Sequence, residues 1–147
     1  MKNAAIKLTV EPVPAVWIRV DPQQMEQVLI NLIQNAAESI GRDGAVTLRA
    51  RTGVARLAGR SRPVLILEVT DTGRGIPPAV LRRLFDPFFT TKETGTGLGL
   101  PIAARIVEKH GGMLQYQTEL GRGATFGVVL PRTEKDENEN QASSFGR

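Results

Sequence analysis

Apolar residues recur along this chain in two periods. Between Asp21 and Gly41, the residues Met25, Val28, Leu29, Leu32, Ile33, Ala36 and Ile40 fall three or four apart, which is the spacing of one broad buried stripe on an α-helix. Asp21 suits the N-cap, Pro22 the first helical position, and Gln24 completes an Asp-x-x-Gln capping box. Gly41 supplies the stop. A second helix is expected from Leu98 to His110, with Pro101 in its first turn and Gly111-Gly112 ending it.

Elsewhere the pattern is extended. Ile6 to Val20 reads as two short strands separated by Pro12 and Pro14, and Asp43-Gly44 turns the chain into a strand over Ala45–Arg51. The run Val64–Thr70 is apolar at nearly every position, as a central strand buried on both faces requires. The Gly- and Arg-rich stretch between these two strands reads as a mobile hairpin tip. Asp71 to Gly97 is rich in turn formers, with one short helix over Pro78–Leu84. Two last strands, Met113–Thr118 and Ala124–Leu130, flank the turn Gly121–Gly123. This irregular alternation predicts a layered α/β sandwich rather than a doubly wound sheet. Residues 1–132 form one domain in this reading, and 133–147 a solvated tail.

Length and composition narrow the chemistry. A chain of 147 residues with 41% apolar and 23% charged content builds one core. The absence of cysteine excludes disulfides, thiolate metal sites and thiol nucleophiles, and one histidine, His110, excludes a multi-histidine centre. No apolar run approaches the ~18 residues that cross a bilayer, so a cytoplasmic location is expected. The net charge of +4 divides into an acidic tail and a more basic body. The basic residues are scattered, and beside them stand only Trp17 and Tyr116 as tryptophan or tyrosine rings, a poor platform for nucleic acid. Attraction for a small polyanion such as a nucleotide triphosphate fits the charge.

Three segments carry candidate chemistry. Asn31 and Asn35 share one face of the first helix although asparagine is a poor helix former, and an amide oxygen is a hard ligand suited to Mg²⁺. Asp71-Thr72-Gly73-Arg74-Gly75-Ile76 follows the buried strand directly. A carboxylate there can accept from an exocyclic amine while glycines let a flat ring approach the backbone; a plain strand-end turn explains the same residues. Gly95-Thr96-Gly97-Leu98-Gly99-Leu100 leads into the second helix and exposes backbone N–H groups beside a positive helix end. It has neither the lysine of a P-loop nor the spacing of a dinucleotide fold. Before it, Phe85-Asp86-Pro87-Phe88-Phe89-Thr90-Thr91-Lys92 crowds three phenylalanines together, with Lys92 placed to reach phosphate.

Taken in order, Asp21-Pro22-x-Gln24 with Asn31–Glu38, Asp71–Pro77, Phe85–Lys92, Gly95–Leu100 and Gly121-Arg122-Gly123-Ala124-Thr125-Phe126 resemble the N, first-glycine, F, second-glycine and third-glycine boxes of sensor histidine kinases. The resemblance spans about Ile6 to Pro131 and implies the Bergerat ATP-binding fold: a two-layer α/β sandwich, with helices on one face of a mixed sheet, and a flexible ATP lid from Phe85 through Lys92 to Gly97. It implies Asn35 as the Mg²⁺ ligand, with Asn31 in support. It implies Asp71 on the adenine amine with Gly73, Gly75 and Ile76 around the ring, and Thr125 nearby through water. Lys92 and Gly95, Thr96, Gly97, Leu98, Gly99 and Leu100 would hold the phosphates.

Departures are informative. Glu38 stands where many members carry a basic residue. Asn31 stands where ATPase cousins place a glutamate base, and an amide cannot take a proton from water, so transfer is favoured over hydrolysis. The implied function is delivery of the γ-phosphoryl of Mg·ATP to a histidine on a dimerising helical hairpin absent from this chain, and through it to a response regulator. The fragment is then monomeric and its parent a homodimer, membrane-anchored or not. His110, ending a core helix, reads as a dipole-favoured structural residue. An anti-sigma-type serine kinase on the same fold and a non-catalytic nucleotide-sensing module are the alternatives.

Overall fold

The computed structural model describes residues 5–41, 43–86 and 99–134. The order of elements is β1 (Ile6–Val10), β2 (Trp17–Ile18), α1 (Pro22–Ile40), β3 (Gly44–Leu57), β4 (Arg60–Asp71), α2 (Pro78–Leu81), α3 (Gly99–Lys109), β5 (Met113–Glu119) and β6 (Gly123–Thr133). The sheet runs β1-β3-β4-β6, with β2 and β5 both paired to β6. The β1–β3 pair is parallel and all others are antiparallel. The expected two-layer sandwich is what forms. One main core joins α1 and α3 to one face of the mixed sheet, through Val28 and Leu32 on α1, Ala103 and Val107 on α3, and Val69, Phe126 and Val128 below them. Among the described residues no helix is long and apolar enough to cross a membrane.

The central strand behaves as its composition demands. Val64, Leu65, Ile66 and Val69 of β4 are all buried. Leu65 and Val69 point to the helical layer, whereas Val64 and Ile66 point the other way and pack with Leu57 and Val129. That second cluster explains where the sequence reading needs correction. The stretch expected as a mobile hairpin tip is a paired ribbon: β3 and β4 stay in register out to Leu57↔Arg60. The reversal takes two residues, Ala58 (φ 52°) and Gly59 (φ 77°), as a tight primed turn does. Leu57, 5% exposed, anchors the ribbon from below. At the sheet's edge Arg49 grips both carboxylate oxygens of Glu11, at 2.9 and 3.1 Å. The guanidinium holds the Glu11 carboxyl below its ordinary pKa, and Glu11 raises that of Arg49. Such a pair stabilises only above the unfolded carboxyl pKa and is lost as pH falls through the folded one; at this exposure it contributes little.

Helix α1 begins as expected, with one substitution of partners. The Asp21 carboxylate caps it by accepting from the N–H groups of Gln23 and Gln24 at 2.9 and 3.1 Å. The reciprocal half of the capping box is not made by Gln24: the Asp21 N–H donates to Nε2 of His110 at 3.1 Å. Since Nε2 accepts, the proton sits on Nδ1, which donates to the Ile106 carbonyl at 2.8 Å. His110 in this geometry is a neutral crosslink between the end of α3 and the start of α1, rather than a cation answering a helix dipole. His110→Ala should lower unfolding free energy by about 1 kcal/mol, the net worth of one such bond. It would be read as a lower urea midpoint at unchanged m-value; an unchanged midpoint would make the contact incidental.

Candidate functional site

Where the central strand ends, its alternation delivers Asp71 to the helical side, and the residue is 3% exposed. A buried carboxylate requires donors. Its Oδ1 accepts the Gly73 N–H at 2.8 Å, which bends the chain back as an Asx turn and fixes the carboxylate plane. The loop that follows is pinned from two further sides. The Arg74 carbonyl accepts from Gly121 N–H at 2.8 Å, and Ile76 N–H donates to Thr118 Oγ1 at 2.7 Å. The Asp71–Ile76 segment is therefore held to the β5–β6 turn.

A cavity of about 280 Å³ opens on this loop, near the lower end of the ~300–1,000 Å³ typical of small-molecule sites. Its walls come from four elements and from Leu120 in the turn between β5 and β6. Helix α1 contributes Asn35, Glu38 and Ser39, and the loop after β4 contributes Arg74, Gly75, Ile76 and Pro77 beside Asp71. Val80 and Leu84, in and after α2, form an apolar side, and Ala124 and Phe126 of β6 form the floor. Carboxylate, amide and apolar wall thus converge on one space.

The structure brings together Asn35, Asp71, Gly75 and Ile76 of the expected set, and it places Gly73 directly against the Asp71 carboxylate. It does not bring Thr125 there. Thr125 lies opposite Thr70 in the β4–β6 register and their hydroxyls are 2.9 Å apart, on the face of the sheet away from the helices. Period-two alternation makes the preceding residue, Ala124, the one that faces the cavity. Nor does it bring Leu100, 7% exposed, which packs in the core between the helices and the sheet. Asn31 stands outside the lining: its Nδ2 donates to the Gly99 carbonyl at 3.1 Å and its Oδ1 accepts from Gln27 at 2.7 Å. Phe85 acts at one remove, its ring 5.9 Å from that of Tyr116, which in turn lies 6.1 Å from Phe126 in the floor. Gly99 begins α3. Lys92, Gly95, Thr96, Gly97 and Leu98, and with them most of the expected lid, lie outside the described residues.

Sequence reasoning missed Ser39, Ala124 and Phe126, all of them legible from period: Ser39 lies one helical turn beyond Asn35, and Ala124 and Phe126 share β6's inward parity. Thr118 carried no signal, because only the fold brings its hydroxyl to Ile76.

Gly123 shows how tight this corner is. Its φ is +127°, and a Cβ there would collide with the Asp71 carbonyl oxygen. Gly123→Ala must move backbone that positions Asp71, so a loss of at least about 2 kcal/mol in stability is expected, measured by chemical denaturation.

With this geometry established, comparison with known proteins is decisive. Residues 20–134 match the family model described as histidine kinase-, DNA gyrase B-, and HSP90-like ATPase. The sensor histidine kinase ZraS of Salmonella typhi is 44% identical over 114 residues, covering 78% of this chain and 23% of that protein; the chain thus spans about a quarter of that relative's length. The nucleotide-free catalytic domain of histidine kinase ThkA superposes with a TM-score of 0.68 at 30% identity, over 88% of this chain and 80% of that one. Full-length ShkA in complex with AMPPNP gives 0.67 at 31% identity, over 88% of this chain and 26% of that one. The mixed sheet thus has its counterpart in solved histidine kinase catalytic domains, and the chain belongs to the histidine kinase-, DNA gyrase B- and HSP90-like ATPase family.

Proposed function

We propose that this chain is the ATP-binding catalytic domain of a sensor histidine kinase, and that it presents Mg·ATP to a histidine on a helical hairpin outside this chain. The observation that carries the reading is Asp71: a buried carboxylate, oriented by Gly73, at the edge of a cavity that also contains Asn35. Adenine's N6 amine is a donor from which such a carboxylate can accept, whereas guanine's O6 would set an acceptor against it. Ile76, Val80 and Leu84 give an apolar wall suited to a flat ring. The ShkA homologue's complex with the ATP analogue AMPPNP is consistent with the same use of the fold.

The donor set fits a nucleotide-borne cation. Among the described residues no cluster of three His, Cys, Asp or Glu could hold a metal alone, and Asn35 offers one neutral amide oxygen. That suits Mg²⁺, which keeps several waters and takes its remaining ligands from phosphate. When bound, Mg²⁺ neutralises charge on the phosphates. The protein's part is positioning: Asp71 fixes the base, Asn35 the metal end, and the N-terminal turn of α3 offers backbone N–H groups to phosphate. An imidazole nitrogen of the acceptor then attacks Pγ, the Pγ–O bond to ADP breaks, ADP leaves, and the imidazole proton passes to solvent or to a base on the acceptor's own helix. His110 is unsuited to that role because both its nitrogens are hydrogen-bonded within the fold. Beyond the acceptor, a response regulator is the proposed recipient, and the parent is proposed to be a homodimer.

Three measurements test the reading. ATP should bind at least about tenfold tighter than GTP, equivalent to about 1.4 kcal/mol. Asp71→Asn should narrow that gap without lowering the ligand-free melting temperature, because an amide can rotate and donate to guanine. Equal binding of both purines by the wild type would remove Asp71 from the site. Calorimetry with Mg²⁺ and with EDTA should show a metal-dependent gain in ADP affinity that Asn35→Ala largely abolishes. With γ-labelled ATP, the isolated chain should acquire no acid-labile phosphate, and the parent's hairpin added in trans should become labelled. Strong labelling of His110 would overturn the assignment.

A further inference from the structure

We infer that Gln27 and Asn31 form a positioning relay that fixes where α3 begins relative to Asn35, and so sets the span between the metal-side amide and the phosphate-side helix end. The inference rests on the nucleotide reading for its functional consequence, but the relay itself stands on geometry. The Gly99 carbonyl can only accept, so the half-buried Asn31 must turn its nitrogen toward it, as it does at 3.1 Å. The Asn31 oxygen then faces the other way and needs a donor. Gln27, one turn earlier on the same face of α1, supplies it through Nε2 at 2.7 Å. Reversing the Asn31 amide would set its oxygen against the Gly99 carbonyl. Gln27 therefore decides which way round Asn31 stands, although it is exposed and absent from the cavity wall.

The placement of this bond gives it leverage. Asn35 follows Asn31 by one turn and lines the cavity, so α1 carries the latch on α3 and the cavity amide about 6 Å apart along its axis. Gly99 is the first described residue of α3, toward the helix end whose backbone N–H groups favour anions. The far end of the same helix pair is tied by Asp21 and His110. From Asp21 to Asn31 and from His110 back to Gly99 the helices run nearly equal lengths, so two polar ties bracket the packed core between them. With the His110 tie intact and the Asn31–Gly99 tie lost, α3 is held at its C-terminus and freed at its phosphate end. Gln27 and Asn31 are thus positioning residues, both outside the described lining of the cavity.

The test uses isosteric changes at Gln27 in the chain as it stands, at 0.5 M NaCl to screen the introduced charges. Gln27→Glu keeps the shape but has no N–H to give. It draws the Asn31 nitrogen to itself and turns the Asn31 oxygen on Gly99. Mg·ADP affinity should fall by about five- to tenfold, adenosine affinity should stay unchanged, and amide exchange at Ile102–Ala104 should accelerate with or without nucleotide. Asn31→Asp should reproduce this pattern. Gln27→Lys retains a donor and should restore both affinity and protection. The relay is overturned if Gln27→Glu matches the wild type in exchange at Ile102–Ala104, if it weakens adenosine as much as Mg·ADP, or if Gln27→Lys fails to rescue. Failure of the nucleotide reading looks different: the wild type would not bind Mg·ADP, while the exchange arm would still judge the relay in the ligand-free protein.

Discussion

Burial of the Asp71 carboxylate is the constraint from which the site follows. The residue is carried inside because β4 is apolar on both faces and alternation puts its last position on the helical side. A charge at 3% exposure must be met by donors or it would cost the domain a large part of its stability. The first donor is local, the Gly73 N–H. That bond forces a reversal, and the reversal explains the glycines: backbone of this loop lies against Ser39 of α1 on one side and Glu119–Leu120 on the other, where a Cβ has no room. The proposed recognition group for a base and the rigid loop beside it therefore arise from one electrostatic requirement.

The opposite wall depends on the antiparallel pair α1–α3. Val28 and Leu32 face Ala103 and Val107 over the sheet, all four essentially inaccessible to water, and hydrophobic packing of that kind is not directional. It presses the helices together without deciding their axial offset. The polar ties decide it, His110 at one end and Asn31 at the other. Hydrogen bonds worth little in net stability thus supply the registration that apolar burial leaves open.

Elements with a period were legible in the sequence, and contacts that only the fold creates were not. The stripe from Met25 to Ile40 and the cap at Asp21 located α1 to within a residue, and the apolar run Val64–Thr70 identified the central strand. The ribbon over 52–63 was misread because Gly and Arg dominate its composition, while its anchoring residue, Leu57, is buried by partners far away in sequence. Thr125 was misplaced by one residue, which in a strand means the opposite face. His110 and Gln27 read as a helix end and a solvated face; their roles depend on Asp21 and Gly99, respectively 89 residues from His110 and, through Asn31, 68 residues along the chain.

Charge along the cavity gives the proposed nucleotide one direction of entry. Asp71 and Glu38 both line it, and among its described lining residues Arg74 is the one basic side chain, a balance that favours an amine over a polyphosphate at the Asp71 end. In the proposed complex a base seated at Asp71 would send its phosphates past Asn35, where a divalent cation would offset their charge, toward the N-terminal end of α3. There the N-terminal backbone amides present about half a positive charge. Glu38 in place of a basic residue sharpens this polarity, for it makes the phosphates' dependence on the cation greater than it would be beside a lysine. A site arranged in this way holds the triphosphate by its two ends, and Asn31, an amide already bound on both sides, offers water no base. Under the proposed function the γ-phosphoryl would then be presented to another nucleophile rather than to water.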